Sequence, residues 1–160
     1  MLKHEIIKSN IDNDDLLITA FEEFYQKWLS QRLTIESLTE IQKQPVIAFI
    51  YATDVWRGGH FVFLDLNFGE ISIKAVVESL EALNIDNKYI NNLAPIASDF
   101  AFPSEWPEDD GQYETLYRQI VNILDPLDSL MAGHDAEDEF INKTLAYIRS
   151  NYLEFFEIID

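Results

Sequence analysis

Asp54, His60 and Asp65 flank the dipeptide Gly58-Gly59, and in a folded chain two carboxylates and an imidazole could form an acid–base set. The plainer reading is a helix-ending loop whose polar groups satisfy one another, and it is the one adopted. The run His134-Asp135-Ala136-Glu137-Asp138-Glu139 offers the carboxylates that a hard cation takes. Acids in succession are also what the positive end of a helix dipole attracts, so no metal is expected there. Asp109-Asp110-Gly111 lacks the other ligands of a calcium loop. The five glycines make no phosphate-binding pattern, and no Gly-x-Ser-x-Gly is present. Without cysteine there is no thiolate nucleophile, thiolate metal site or disulfide. No catalytic, cofactor-binding or metal-ligating residue is assigned, and the chain reads as a non-enzyme.

Charge carries more information. Eleven Lys and Arg face twenty-nine Asp and Glu, a net charge of -18. Small domains need a charge of only about 2–8 for solubility. Such a surface repels nucleic acid and anionic membranes and attracts basic proteins. The imbalance is concentrated: from Asp99 to Glu139 twelve acids face the single base Arg118. The acidic surface expected to meet a partner comprises Glu105, Glu108, Asp109, Asp110, Glu114, Asp125, Asp128, Asp135, Asp138 and Glu139. Trp106 stands among these acids, where it could anchor a cation through its ring face or pin its loop to the body; the second reading is preferred.

The elements that must position these residues follow from periodicity. The 160 residues are 48% apolar and 13% aromatic, enough for a single domain over 1–160 with a sizeable core. Residues 1–13 are expected to be frayed. The N-terminus carries charges where a secretory signal would be apolar, and no run is long enough to span a membrane, so a cytoplasmic location is expected. Leu16, Ala20, Phe24 and Trp28, with Leu17, Phe21, Tyr25 and Leu29, predict a helix over 15–32, led by Asp14 as its cap. Residues 33–42 predict a shorter helix with Ser37 and Glu40 as capping box. Pro45 would open another through the apolar run to Trp56, although a buried strand fits that run equally well. By propensity, His60 to Asn67 looks like a strand. Further helices are expected over 73–83 capped by Ser72, over 88–100 with a kink or break at Pro95, and over 114–124 with a restart at Asp125-Pro126. A last one is expected with Asp135 as its cap. Ala101 to Gly111 reads as a loop.

The segment Asp54 to Gly69, followed by the helix at Ile73–Leu83 and by Leu93 to Phe100, resembles the nineteen-kilodalton bacterial DNA-mimic protein family, a domain-of-unknown-function family with a Gly-Gly-aromatic segment. Gly58 and Gly59 match its glycine pair, Phe61 and Phe63 its aromatics, and Asn67 and Gly69 its close. Arg57 stands where the family has Asn, and His60 separates the glycines from Phe61. The resemblance implies an all-α, bundle-like helical array, with helix rather than strand at His60–Asn67, and often a homodimer. It also implies a surface that imitates duplex DNA and occupies the DNA-binding face of a basic protein such as a transcription regulator. The Gly-Gly segment itself is expected to be structural. Physically, carboxylates three or four apart on a helix lie about 5–6 Å from each other, so rows on two helices could approximate two phosphate strands. The alternatives carried beside this reading are an immunity- or antitoxin-type protein that neutralises a basic toxin, and a soluble domain with no enzymatic activity.

Overall fold

A computed structural model describes residues 2–67, 69–99 and 106–159. Its elements are β1 (His4–Ile7), α1 (Asp14–Ser30), α2 (Glu40–Leu66), α3 (Ile73–Ala82), α4 (Asn87–Asp99), α5 (Asp110–Met131), α6 (His134–Ser150), α7 (Tyr152–Phe155) and β2 (Phe156–Ile159). The fold is all-α, as expected, with one small parallel two-stranded sheet that pairs His4 with Phe156 and Ile7 with Ile159.

The central element is α2, with α3, α5 and α6 packed against it. Pro45, Val46, Ile47, Ala48, Ile50, Tyr51, Ala52 and Val55 are all buried. A helix covered by neighbours on several sides must be apolar nearly all round. That is why the Pro45–Thr53 run could not be told from a strand by its period. On α1 the stripe Leu17, Ala20, Phe21, Phe24 and Trp28 is buried, and Leu16 and Leu29 at its two ends are exposed.

Several boundaries differ from the sequence expectations, each for a local reason. The cap of α1 is Asn13, not Asp14: its side chain accepts from the Leu16 N–H at 3.1 Å. Residues 33–42 do not form a helix. A 3-10 turn at Ile35–Ser37 is followed by extended, buried Leu38, and α2 begins at Glu40. The capping box is Thr39 with Gln42, two residues beyond the Ser37–Glu40 pair that mimics it. The Thr39 N–H donates to Gln42 Oε1 at 3.1 Å, and the Gln42 N–H donates to Thr39 Oγ1 at 3.2 Å. Pro45 therefore lies inside α2 rather than at its start. Pro126 does not restart the chain either. Ile120, Leu124, Leu127 and Met131 continue one buried stripe across it, and the helix runs on with only the proline's own donor missing. In the same way α4 runs through Pro95. His134 begins α6 directly after Gly133, so Asp135 sits in the first turn rather than at the cap.

The N-terminal residues, expected to fray, are tied down by a buried side chain. Gln42 Nε2 donates to the carbonyls of Leu2 (2.8 Å) and Glu154 (2.6 Å), fastening the start of β1 and the approach to β2 to the first turn of α2. No sequence pattern marks this bridge, because its partners are 40 and 112 residues away. Among the described residues no helix is long and apolar enough to cross a membrane.

Candidate functional site: a glycine kink clamped to an acidic helix

The Gly58-Gly59 pair interrupts α2. Gly58 has φ -167° and ψ 22°, and Gly59 has φ 84° and ψ 175°. The two halves of α2 then fold back on each other. Tyr51 and Phe63 place their ring centroids 5.3 Å apart, and Asn67 Nδ2 donates to Asp54 Oδ2 at 2.8 Å. In a straight helix those pairs would stand ~18 and ~20 Å apart along the axis. The segment expected as a strand on propensity is helical, as the resemblance implies, because Phe63 and Leu64 are buried on one helical face. Asn67 closes this half, its side chain also donating to the Phe63 carbonyl at 2.8 Å. Gly69 turns the chain with φ 78°.

Each glycine of the pair is there for a different reason. A Cβ on Gly58 would meet Val62 Cγ2 at 2.5 Å. Gly59 lies in the positive-φ region that side chains avoid, and a Cβ there would run into the carboxylate of Asp128 on α5. That carboxylate is the clamp. Asp128 Oδ1 accepts the His60 backbone N–H at 2.9 Å and lies 2.5 Å from His60 Nδ1. On the far side of the ring, Nε2 is 2.8 Å from the Tyr51 hydroxyl. These partners require the proton on Nδ1, donated to Asp128, with Tyr51 O–H donating to Nε2. Burial holds the His60 pKa below its ordinary value, while the hydrogen bond and charge of Asp128 act the other way. Burial also raises the Tyr51 pKa, with Asp128 adding to the rise. Hydroxyl, imidazole and carboxylate thus stand in relay order, yet His60 and Tyr51 are each only 1% exposed. Both rings are closed to solvent, and the set ties the kink of α2 to α5.

The acid–base set considered from sequence does not assemble. Asp54 is engaged by Asn67, and Asp65 is exposed. The true partner of His60, Asp128, was counted only as a surface acid. It lies 68 residues away, and no sequence signal could have paired the two. Trp56 makes a second link between the same elements, its Nε1 donating to the Met131 carbonyl at the end of α5 at 3.0 Å. Phe61 completes the contact, its ring 4.7 Å from Tyr117 and 5.9 Å from Trp106.

The acidic residues divide between two places. Glu108, Asp109, Asp110 and Glu114 surround the first turns of α5; all are exposed, and Asp109 caps the helix by accepting the Gln112 N–H at 2.9 Å. Asp125 and Asp128 near the end of α5, with Asp135, Asp138 and Glu139 at the start of α6, make the second group. Asp110, Glu114, Asp125 and Asp128 fall within a sector of about 60° on the α5 surface, at 3.6 residues per turn. Between them stands Arg118, whose Nε pairs with Glu114 at 2.8 Å. Two members of the second group also have internal duties: Asp128 in the clamp, and Glu139 accepting the Asp86 N–H at 2.6 Å. Glu105 lies outside the described residues.

A kinked central helix clamped to a long acidic helix defines this protein as an all-α helical array. The DMP19-like protein family matches residues 36–151, and the chain belongs to that family. The match spans the kink, the clamp and both acidic groups. No curated protein and no solved structure matches the chain.

Proposed function

We propose that this protein is an acidic binding protein of the DNA-mimic kind, which occupies the DNA-binding face of a basic protein such as a transcription regulator. The observation that carries the reading is the placement of the acids. Membership of the DMP19-like family coincides with two exposed carboxylate groups on α5 and α6, in a chain of net charge -18. Glu114 and Asp125 are separated by ~16 Å of helix rise. That equals the axial length of about five nucleotide steps on one DNA strand. The two groups would meet two separate sets of phosphate-binding Lys and Arg on the partner, and they would displace DNA by competition.

The test is displacement. Purified helix-turn-helix regulators and nucleoid proteins are loaded with fluorescent duplex DNA, and this protein is titrated in at two salt concentrations. Release of DNA from at least one of them, weakening steeply with salt, is the expected result. Charge reversal at Asp110, Glu114, Asp135 and Asp138 should abolish it. If none of the panel releases DNA at low salt, or the reversed variant competes as well as the parent, the reading fails.

A further inference from the structure

We propose that the cleft between α1, α2 and α6 is an anchor point for the partner, taking one apolar side chain presented between cationic residues of a basic protein. This rests on the reading above only in that the partner is basic. The cleft encloses about 180 Å³. It exists because Ala48 and Ala52, one turn apart on α2, end at Cβ where larger residues would fill the space. Phe49, Ile141 and Trp56 form its walls. Phe49 and Ile141 are half-buried, and Trp56 is 37% exposed.

The indole of Trp56 is held rather than loose. Besides its bond to Met131, it stands edge-on to Phe140 at 6.0 Å and 73°. Its one polar atom is thus satisfied inside the protein, and what it turns outward is apolar. Binding energy at protein interfaces concentrates on such aromatic groups beside well-packed pockets.

Charge complementarity selects the occupant. Exposed Glu22 from α1 and Glu137 from α6 line the cleft, and no Lys, Arg or His does so among the described residues. An anionic ligand or lipid surface would be repelled, and a second copy of a chain of net charge -18 would bring like charge to the rim. A basic segment with a central apolar residue satisfies both floor and rim. Glu137 belongs to the acid-rich stretch and precedes Asp138 near the start of α6. Of the residues that line the cleft, Ile18 and Glu22 on α1 lie outside the family match of 36–151, and the others lie within it.

The experiment titrates the whole protein at low salt with three end-capped synthetic peptides. One carries a central phenylalanine between two pairs of arginines, one has alanine at the centre, and one has glutamates in place of the arginines. Calorimetry gives the affinities, and amide and indole N–H resonances locate the contact. The phenylalanine–arginine peptide should bind at least tenfold more tightly than its alanine counterpart and shift the Trp56 indole and Ile141 signals. The glutamate peptide should not bind. Glu22→Lys with Glu137→Lys should weaken binding at least tenfold, while Asp110→Lys with Glu114→Lys on α5 changes it less than threefold. Ala52→Leu, which fills the cleft, should remove the preference for phenylalanine; if it unfolds the chain, the rim variants carry the test alone. Equal affinity for the phenylalanine and alanine peptides, or shifts confined to the α5 acids, overturns the cleft while leaving the DNA-competition reading intact. A dimer that buries Trp56 would overturn it as well. Selective peptide binding at Trp56 in a protein that displaces DNA from nothing supports the cleft and removes the mimic reading.

Discussion

Gly59→Ala isolates what the kink demands. With φ 84° and ψ 175°, Gly59 occupies backbone territory that is nearly glycine's alone, and a side chain there costs on the order of 1–3 kcal/mol. The new Cβ would also displace the Asp128 carboxylate, which must then release the His60 N–H and Nδ1. Hydrogen bonds to a charged acceptor are worth about 1.5–3 kcal/mol. The Asp128 side chain is 41% exposed, so water recovers part of that loss for the carboxylate, though not for buried His60. Together these give a destabilisation of about 2–4 kcal/mol. For a chain of this size that lowers the thermal midpoint by roughly 5–15 °C.

Calorimetric or circular-dichroism melts measure the effect, and Gly58→Ala is the informative control. Its φ of -167° is ordinary extended backbone, so the obstacle is the Val62 side chain alone. Combining Gly58→Ala with Val62→Ala should therefore recover most of the loss caused by Gly58→Ala, when scored against Val62→Ala. Combining Gly59→Ala with Asp128→Ala should recover little, because the backbone strain persists and the His60 N–H loses its acceptor. A Gly59→Ala protein that melts with its parent, or one rescued by removing Asp128, refutes the argument.

Gln42→Leu leaves the Thr39 N–H and the carbonyls of Leu2 and Glu154 without their partner, so it should cost about 3 kcal/mol or more. Urea denaturation measures this, and loss of protection of the β1 amides in hydrogen exchange would locate it. His60 is held neutral by burial, so the unfolded chain binds more protons than the folded one once pH falls below about 6.5. Its contribution is complete above that pH and is lost as pH falls through the lowered folded pKa; His60→Gln should flatten part of the stability slope below about pH 6.5. An unchanged slope would show that carboxylates elsewhere carry all of it. Self-repulsion of a net charge of -18 should make the thermal midpoint rise with sodium chloride, as the screening length shrinks from about 30 Å at 0.01 M to about 8 Å at 0.15 M. A midpoint that falls instead would mean that internal ion pairs outweigh the repulsion.

What was legible in the sequence divides along distance in the chain. Helices whose buried stripes repeat within a few turns could be read directly: α1, α3 with its Ser72 cap (accepting the Ala75 N–H at 3.1 Å), and α5. Pro45 and Pro126 misled, because both lie inside helices that tertiary packing carries past them. The small parallel sheet was invisible. Its strands are four residues each, and pairing them in parallel needs the whole chain as the connection. The same limit governs the candidate site. A count of acids by position gave Asp128 and Glu139 the same standing as Asp110 and Asp138. In the fold, Asp128 holds His60 and Glu139 holds the Asp86 N–H, whereas Asp110 and Asp138 are exposed with no such bond described. Net charge therefore overstates the surface available to a partner. Charge reversal at Asp128 would confuse binding with folding, while reversal at Asp110, Glu114, Asp135 and Asp138 leaves the clamp intact and tests the surface alone.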